Sequence, residues 1–358
     1  MNDIKPILSI VIPCFNKMEL TSYMLDCIIA NKFQDWELLA VDDGSTKEDF
    51  EILKSFEEKD KRIHIIKRTE SPKGAPTCRN IGMNMARGKY IIFFDSDDYI
   101  TPNCLGTRVE YMEKNPKFDF MVFPLGVFQD NYIINGIVRQ SCGYHIYKDD
   151  KAMFASRRLP FFVVNNIYKL SSLKKHNIRW DTKLRSLQDA DFNVQTLLSG
   201  MAYKYTHVLP DYGYRLTDNP GSISKKMVSK EHYESTLYAL EKFYKTYQGA
   251  YGHKYDFRLF LGALWIYNHV LSSKFDKDFA NGILQVVSKY NRKHYITLNI
   301  LIKTTLLLRN IIPEKPARQL PMLPYLLWRI ALTRSSERRM KKNYMNHGKT
   351  GNSTFNIQ

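Results

Sequence analysis

Tyr90-Ile91-Ile92-Phe93-Phe94-Asp95-Ser96-Asp97-Asp98 is the stretch whose reading decides the fold. Five apolar or aromatic residues run straight into three carboxylates. The apolar run has the length and the β-branched and aromatic bias of a strand buried on both faces. Carboxylates that end such a strand stand at the carboxyl edge of an open α/β sheet, where ligands bind. At this spacing they repel one another and raise each other's pKa unless a cation holds them. Oxygen ligands at such a strand end suit Mg²⁺ or Mn²⁺, which share their remaining positions with substrate phosphates. An isolated Asp-x-Asp is more often an inert acidic loop, so the weight falls on the residues upstream.

Those residues alternate strand and helix patterns. Leu8-Ser9-Ile10-Val11-Ile12-Pro13 reads as a buried first strand that Pro13 ends. A helix is expected over 19–31, and a second strand over 36–41, closed by the turn Asp42-Asp43-Gly44-Ser45. Ser45 or Thr46 is placed to cap a helix over 47–59. A short strand at 63–66, a loop at 73–76 and a helix over 77–86 follow, with Gly88 where a C-terminal cap would sit. The alternation predicts a mostly parallel, doubly wound sheet. Neither G-x-G-x-x-G nor G-x-x-x-x-G-K-[ST] occurs, which removes the usual sequence case for a dinucleotide dehydrogenase or a P-loop NTPase. A nucleotide site built from carboxylates and a metal remains. In it Asp43 can accept an imide N–H such as that of uracil, and Arg79 can contact base or phosphate.

Composition bounds the rest. With 358 residues the chain holds a catalytic domain and a smaller second unit, and its formal charge of +17 favours anionic partners. Five scattered cysteines without a CxxC pair argue for a reduced compartment and against zinc. No signal peptide and no apolar run long enough to span a bilayer are read, so the expected location is cytoplasmic.

Taken together, these elements resemble glycosyltransferase family 2, whose nucleotide-sugar-binding fold is called GT-A. The resemblance rests on Ser9-Ile10-Val11-Ile12-Pro13-Cys14-Phe15-Asn16, Val41-Asp42-Asp43-Gly44-Ser45, Arg79-Asn80-Ile81-Gly82, Ala86-Arg87-Gly88-Lys89-Tyr90 and Phe94-Asp95-Ser96-Asp97-Asp98, in matching order and spacing. It implies an inverting enzyme of bacterial surface polysaccharide synthesis. The donor would be a nucleotide sugar, UDP-linked by preference, and the acceptor a glycan or lipid-linked oligosaccharide. By the same resemblance the backbone near Pro13, with Asn16, Asp43 and Arg79, holds the nucleotide. Asp95 meets ribose and the metal shell, and Asp97 ligates a Mg²⁺ or Mn²⁺ ion that bridges the diphosphate.

Further along, 161–169 resembles the family's acceptor-side segment, and a polar, aromatic hairpin is expected over 128–147. Asp189, at a helix start, aligns with the general base, although Gln188 replaces the usual Glu before it. Arg215 and Ser222 are expected near diphosphate oxygens, and Thr217 stands where many relatives place a metal-binding His. The expected division is a GT-A domain over 1–226, with a donor half to residue 100 and an acceptor half after it. A helical region at 227–297, an apolar and basic segment at 298–345 and a polar tail at 346–358 complete it. Apolar helix followed by basic cluster is the pattern of peripheral contact with an anionic membrane; a helical cap with a solvated tail fits equally. Gln188 and Thr217 leave a second functional reading, a catalytically weak nucleotide-sugar- or glycan-binding module. Nucleic-acid binding has charge alone in its favour.

Overall fold

Residues 5–129, 144–216, 229–271 and 277–313, with positions 330, 331 and 335, are described in this computed structural model. The first half is built as the alternation predicts: β1 (Leu8–Cys14), α1 (Met18–Ile29), β2 (Trp36–Asp42), α2 (Lys47–Lys59), β3 (Ile63–Lys67), α3 (Ala75–Met85) and β4 (Tyr90–Phe93). Next come β5 (Tyr99–Ile100), α4 (Cys104–Lys114), β6 (Phe120–Val122), β7 (Leu125–Gln129), α5 (Asp150–Ala155), β8 (Asn166–Lys169) and α6 (Leu170–Lys175). The chain continues through α7 (Gln188–Leu198), β9 (Tyr203–Tyr205) and β10 (Tyr212–Leu216). It then turns helical: α8 (Lys230–Tyr251), α9 (Asp256–Leu271), α10 (Lys277–Tyr290) and α11 (Arg292–Arg309).

Seven strands form one sheet in the order β3-β2-β1-β4-β8-β6-β9. The first four are parallel, and β8 runs antiparallel between β4 and β6. A small second sheet, β5-β10-β7, closes over the carboxyl end of β4. This is a GT-A-like sheet with helices on its faces and extra helices after it. Alternate residues of the central strands feed two cores, Val11, Ile91 and Phe93 on one face and Ile10, Ile12, Ile92 and Phe94 on the other. The first of these cores does not stop at the sheet. Phe93, Tyr168, Trp180 and Phe192 belong to the same buried cluster as Tyr244, Leu259, Ile283 and Leu298 of α8 to α11.

Two local expectations need correction. Pro13 does not end β1, which runs on to Cys14. Val11 faces β4, since its carbonyl accepts the Phe94 N–H at 3.1 Å, and Cys14 faces β2 through the Asp43 N–H at 2.8 Å. Pro13 therefore turns its nitrogen toward β4, which has already left the ladder after Phe93, and its missing donor costs nothing there. Gly88 is not a helix cap either; α3 is capped by Ala86. A Cβ at Gly88 would stand 2.6 Å from the Ser9 nitrogen, so the residue is small because the chain enters β4 pressed against β1. Gly82 does the same for α3, where a Cβ would meet Val11 Cγ1 at 2.4 Å.

The small sheet is held by a buried ion pair. Arg108 of α4 donates from Nε and Nη2 to Asp211, at 2.9 and 2.7 Å, and from Nη1 to the Val164 carbonyl at 2.8 Å. Removing either partner would strand a buried charge. Asp211 immediately precedes β10, so this pair sets where β10 passes the end of β4. The hairpin expected over 128–147 falls largely on 130–143, outside the described residues; of its described ends, 128 and 129 complete β7, which pairs with β10, and Tyr144 bridges Phe161. Among the described residues no helix is long and apolar enough to cross a membrane.

Candidate functional site

The carboxyl ends of β1, β2 and β4 converge on one edge of the sheet, as parallel neighbours must. After β1, Asn16 and Lys17 both take left-handed backbone angles, φ 51° and 55°. The Asn16 N–H donates to Ser45 Oγ at 2.9 Å, and its side-chain oxygen accepts the Thr46 N–H at 3.1 Å. Asn16 thus latches the loop after β1 to the loop after β2. Of the two expected capping residues, Thr46 caps α2 by accepting the Asp49 N–H at 3.2 Å.

Asp42 spends its carboxylate on the turn, accepting the N–H groups of Gly44 and Ser45 at 3.1 Å. Asp43 is buried and accepts, all at Oδ1, from Arg68 Nε at 2.6 Å, the Gly74 N–H at 3.0 Å and Cys78 Sγ at 3.6 Å. That leaves Oδ2 for a ligand. Arg68 escaped the sequence reading. Its signal lies in strand order, because the register Asp42↔Lys67 brings the residue after β3 beside the residue after β2.

Beyond β4 the three carboxylates have separate fates. Asp98 is buried, accepting the Tyr212 hydroxyl and the Arg215 N–H, the latter at 2.8 Å. Burial, then the charges of Asp95 and Asp97, push its pKa well above the usual carboxylate range. It fastens β10 to the turn. Asp95 accepts from Arg79 Nη2 at 2.5 Å. Asp97 keeps a third of its side chain open and meets Lys17 at 3.5 Å. Its pKa is also raised, by burial and then by Asp95, against the opposing pull of Lys17. Arg215 donates from Nε to the Asp97 carbonyl at 2.8 Å, which sets it on the same turn. Ser222 and Thr217 lie outside the described residues.

Arg79, in α3, links this edge of the sheet to the second half of the chain. Besides Asp95 it reaches Gln188 Oε1 from Nη1 at 3.2 Å, and its guanidinium lies 4.5 Å from the Trp180 ring centre. Gln188 is thus a neutral acceptor for an arginine whose charge Asp95 already answers. Asp189 follows in the first turn of α7, where the helix dipole favours a carboxylate. Protein surrounds its carboxyl, although the residue keeps some surface open. Burial pushes its pKa up to about 6, with Asp95 adding to the rise and Arg79 opposing it. Asp191, the nearest rival, is turned elsewhere: Lys242 of α8 stands 2.8 Å from its Oδ1, and Gln195 donates to its Oδ2 at 2.7 Å.

The sequence-predicted residues therefore gather as follows. Pro13, Asn16, Asp43, Arg79, Asp95, Asp97 and Arg215 lie at the ends of β1, β2, β4 and β10 or on α3 beside them. Asp189 joins them through the charges of Arg79 and Asp95. The Asn16 side-chain oxygen is engaged by the neighbouring loop. Among the described residues no set of three or more His, Cys, Asp or Glu is placed to hold a metal ion. Asp95 and Asp97 still form a pair whose mutual repulsion a cation would relieve. They fit an ion that takes one or two protein carboxylates and completes its shell with phosphate oxygens and water.

Comparison with known proteins bears on the family and the fold. Residues 9–183 match the profile described as glycosyl transferase family 2. The poly(ribitol-phosphate) beta-glucosyltransferase of Bacillus spizizenii is 28% identical over 209 residues, covering 58% of this chain and 31% of that protein. This chain therefore spans less than a third of that relative's length. An uncharacterized glycosyltransferase of Bacillus subtilis, EpsJ, is 24% identical over 307 residues, covering 79% of this chain and 84% of that one. Among solved structures, residues 1–349 of S. aureus TarS, in complex with UDP-GlcNAc, superpose with a TM-score of 0.63 at 16% identity, over 89% of this chain and 90% of that one. That likeness is one of fold.

Proposed function

We propose that this chain, which belongs to glycosyl transferase family 2 through residues 9–183, is an inverting glycosyltransferase of bacterial surface polysaccharide synthesis. Its donor is a nucleoside-diphosphate sugar, UDP-linked, and its acceptor a hydroxyl of a glycan or lipid-linked oligosaccharide. The observation that carries the reading is the placement of the two aspartates of α7: Asp189 sits in the first turn beside the charges of Arg79 and Asp95, while Lys242 holds both oxygens of its neighbour Asp191.

Each residue then has a task. Asp43 offers Oδ2 to the imide N–H of uracil, and the loop from Pro13 to Asn16 supports the nucleoside. Arg79 holds Asp95 toward the ribose and places the charge that keeps Asp189 ionised near neutral pH. Asp97, with Asp95, would hold Mg²⁺ or Mn²⁺, which when bound supplies positive charge against the departing diphosphate. Arg215, fixed on the Asp97 turn, brings its positive charge toward the same oxygens. Asp189 takes the proton of the acceptor hydroxyl as that oxygen attacks the anomeric carbon opposite the leaving group. One displacement inverts the carbon and needs no enzyme nucleophile. The test is a thermal-shift screen of nucleotide sugars with Mn²⁺, followed by NMR of the product from the donor that stabilises the chain. A product retaining the donor's anomeric configuration overturns the single displacement.

We also propose a peripheral place on the inner face of the membrane, and α11 supports it. One side of it packs inward through Leu298, Ile302 and Thr305. The other exposes Ile296, Ile300 and Leu307, which recur at helical spacing, with Arg292, Lys293 and Lys303 exposed around them. Apolar side chains ringed by cations suit an anionic bilayer surface. Flotation with phosphatidylglycerol vesicles is expected for the full chain and reduced in Ile300→Glu; an unchanged Ile300→Glu would leave α11 a packing cap.

A further inference from the structure

Helix α8 meets the segment that carries the proposed base with one face. Ser235, Tyr238 and Lys242 stand three and four residues apart and so share one side of the helix. Ser235 Oγ accepts the N–H groups of Arg185 and Ser186 at 2.8 and 3.2 Å. The Tyr238 hydroxyl donates to Asp181 Oδ2 at 2.9 Å. Lys242 donates to the same oxygen at 2.7 Å and grips both oxygens of Asp191, at 2.8 and 2.9 Å. These contacts span 181–191, from the residue after Trp180, against which Arg79 lies, to the first turn of α7. That turn has no side-chain cap of its own: its N-cap is Leu187, at φ 64°, with no side-chain acceptor.

We propose that Lys242, seconded by Ser235 and Tyr238, is a positioning residue for transfer. It acts through Asp191 and Asp181 to fix the start of α7, and with it the direction in which Asp189 faces the acceptor. The inference rests on the assignment of Asp189 as the base. A segment held by three side chains of one helix keeps a reacting geometry that a free helix start would lose. A displacement of about 1 Å costs on the order of 10²-fold in rate. The clamp reaches the donor-side residues indirectly, where Arg79 meets Gln188 and Trp180 and Arg185 donates to the Lys73 carbonyl, so its loss falls mainly on transfer and little on donor binding.

The experiment is kcat and UDP affinity, measured in parallel on the full chain. Lys242→Met is expected to lower kcat about 10- to 100-fold with UDP affinity within about twofold. Lys242→Arg is expected to restore most of the loss. Because Lys242→Met leaves Asp191 buried without its cation, a change that can unfold a protein, the double variant Asp191→Asn/Lys242→Met is made beside it. The double variant removes both charges, and its folding is checked by circular dichroism. A folded double variant with lowered kcat and unaltered UDP affinity supports the clamp. Wild-type kcat in it overturns the clamp, and so does a parallel fall of kcat and affinity, which would mark general disruption. Asp189→Asn separates the two readings. If it keeps turnover, the base assignment fails and the clamp falls with it; if it is dead while the Lys242 variants are wild type, the clamp alone fails.

Discussion

The turn after β4 and the first turn of α7 pose the same problem and solve it the same way. Each carries carboxylates one or two positions apart in protein surroundings that disfavour their charges. In each the fold removes one from service. Asp98 is enclosed by Tyr212 and the Arg215 N–H, and Asp191 by Lys242 and Gln195. Of those left in service, Asp97 and Asp189 each keep some open surface and a raised pKa. The regions differ in where the removing partner comes from. Asp98 is answered by β10, within the α/β part, whereas Asp191 is answered by a helix that follows the α/β part altogether. Side-chain identity therefore does not tell a structural aspartate from a reactive one; the partner does.

The comparison breaks most visibly if the paired aspartates prove interchangeable. Asp189→Asn is expected to lower single-turnover transfer by about 10² to 10⁴, the usual contribution of a general base, while UDP still binds. Asp191→Asn should retain measurable turnover; a dead Asp191→Asn beside an active Asp189→Asn would exchange their roles. On the donor side, Asp97→Ala is expected to lose at least about tenfold in Mn²⁺-dependent UDP affinity by calorimetry, a modest share of what a charge-assisted ligand contributes. Equal, chelator-insensitive binding in wild type and variant would remove the metal from the reading.

Acidity tests the raised pKa directly. A base must be ionised, and a carboxylate lifted to about 6 loses its active form as pH falls through that value. The rate should fall about tenfold per pH unit below pH 6 and level off above it. An acid limb near pH 4 would mean that Asp189 is solvated in the working enzyme. The smallest effect belongs to Asp98. Asp98→Ala strands the Tyr212 hydroxyl and the Arg215 N–H and should cost about 1–3 kcal/mol in denaturant unfolding. If it instead abolished UDP binding at full stability, Asp98 would belong to the ligand set.

How far the sequence carries can be judged residue by residue. β1 to β4 were legible because each is a short apolar run between turn residues, and parallel order follows from the helices between them. Asp43, Arg79, Asp95 and Asp97 were legible because they sit just past those runs or in the helix between them. β5 has two residues, Tyr99 and Ile100, too few to show a period, and its pairing with β10 spans more than a hundred positions. Arg68 and Lys242 carried no local mark at all. A cation beside a strand end or on an amphipathic helix looks solvated until the strand order, or the packing of α8 on α7, puts a carboxylate against it. Pro13 and Gly88 were noticed but misread, since a proline's missing donor and a glycine's missing side chain matter only against particular neighbours.

The core that runs from Phe93 through Phe192 to Tyr244, Leu259 and Leu298 bears on how the molecule opens. The turn carrying Asp189 cannot lose its order while α8 to α11 keep theirs, since they bury one another's side chains. Slow amide exchange should therefore rise together along α7 and α8 as denaturant is added, in one cooperative step, while the latch between Asn16 and Thr46, joined by hydrogen bonds alone, exchanges independently and sooner.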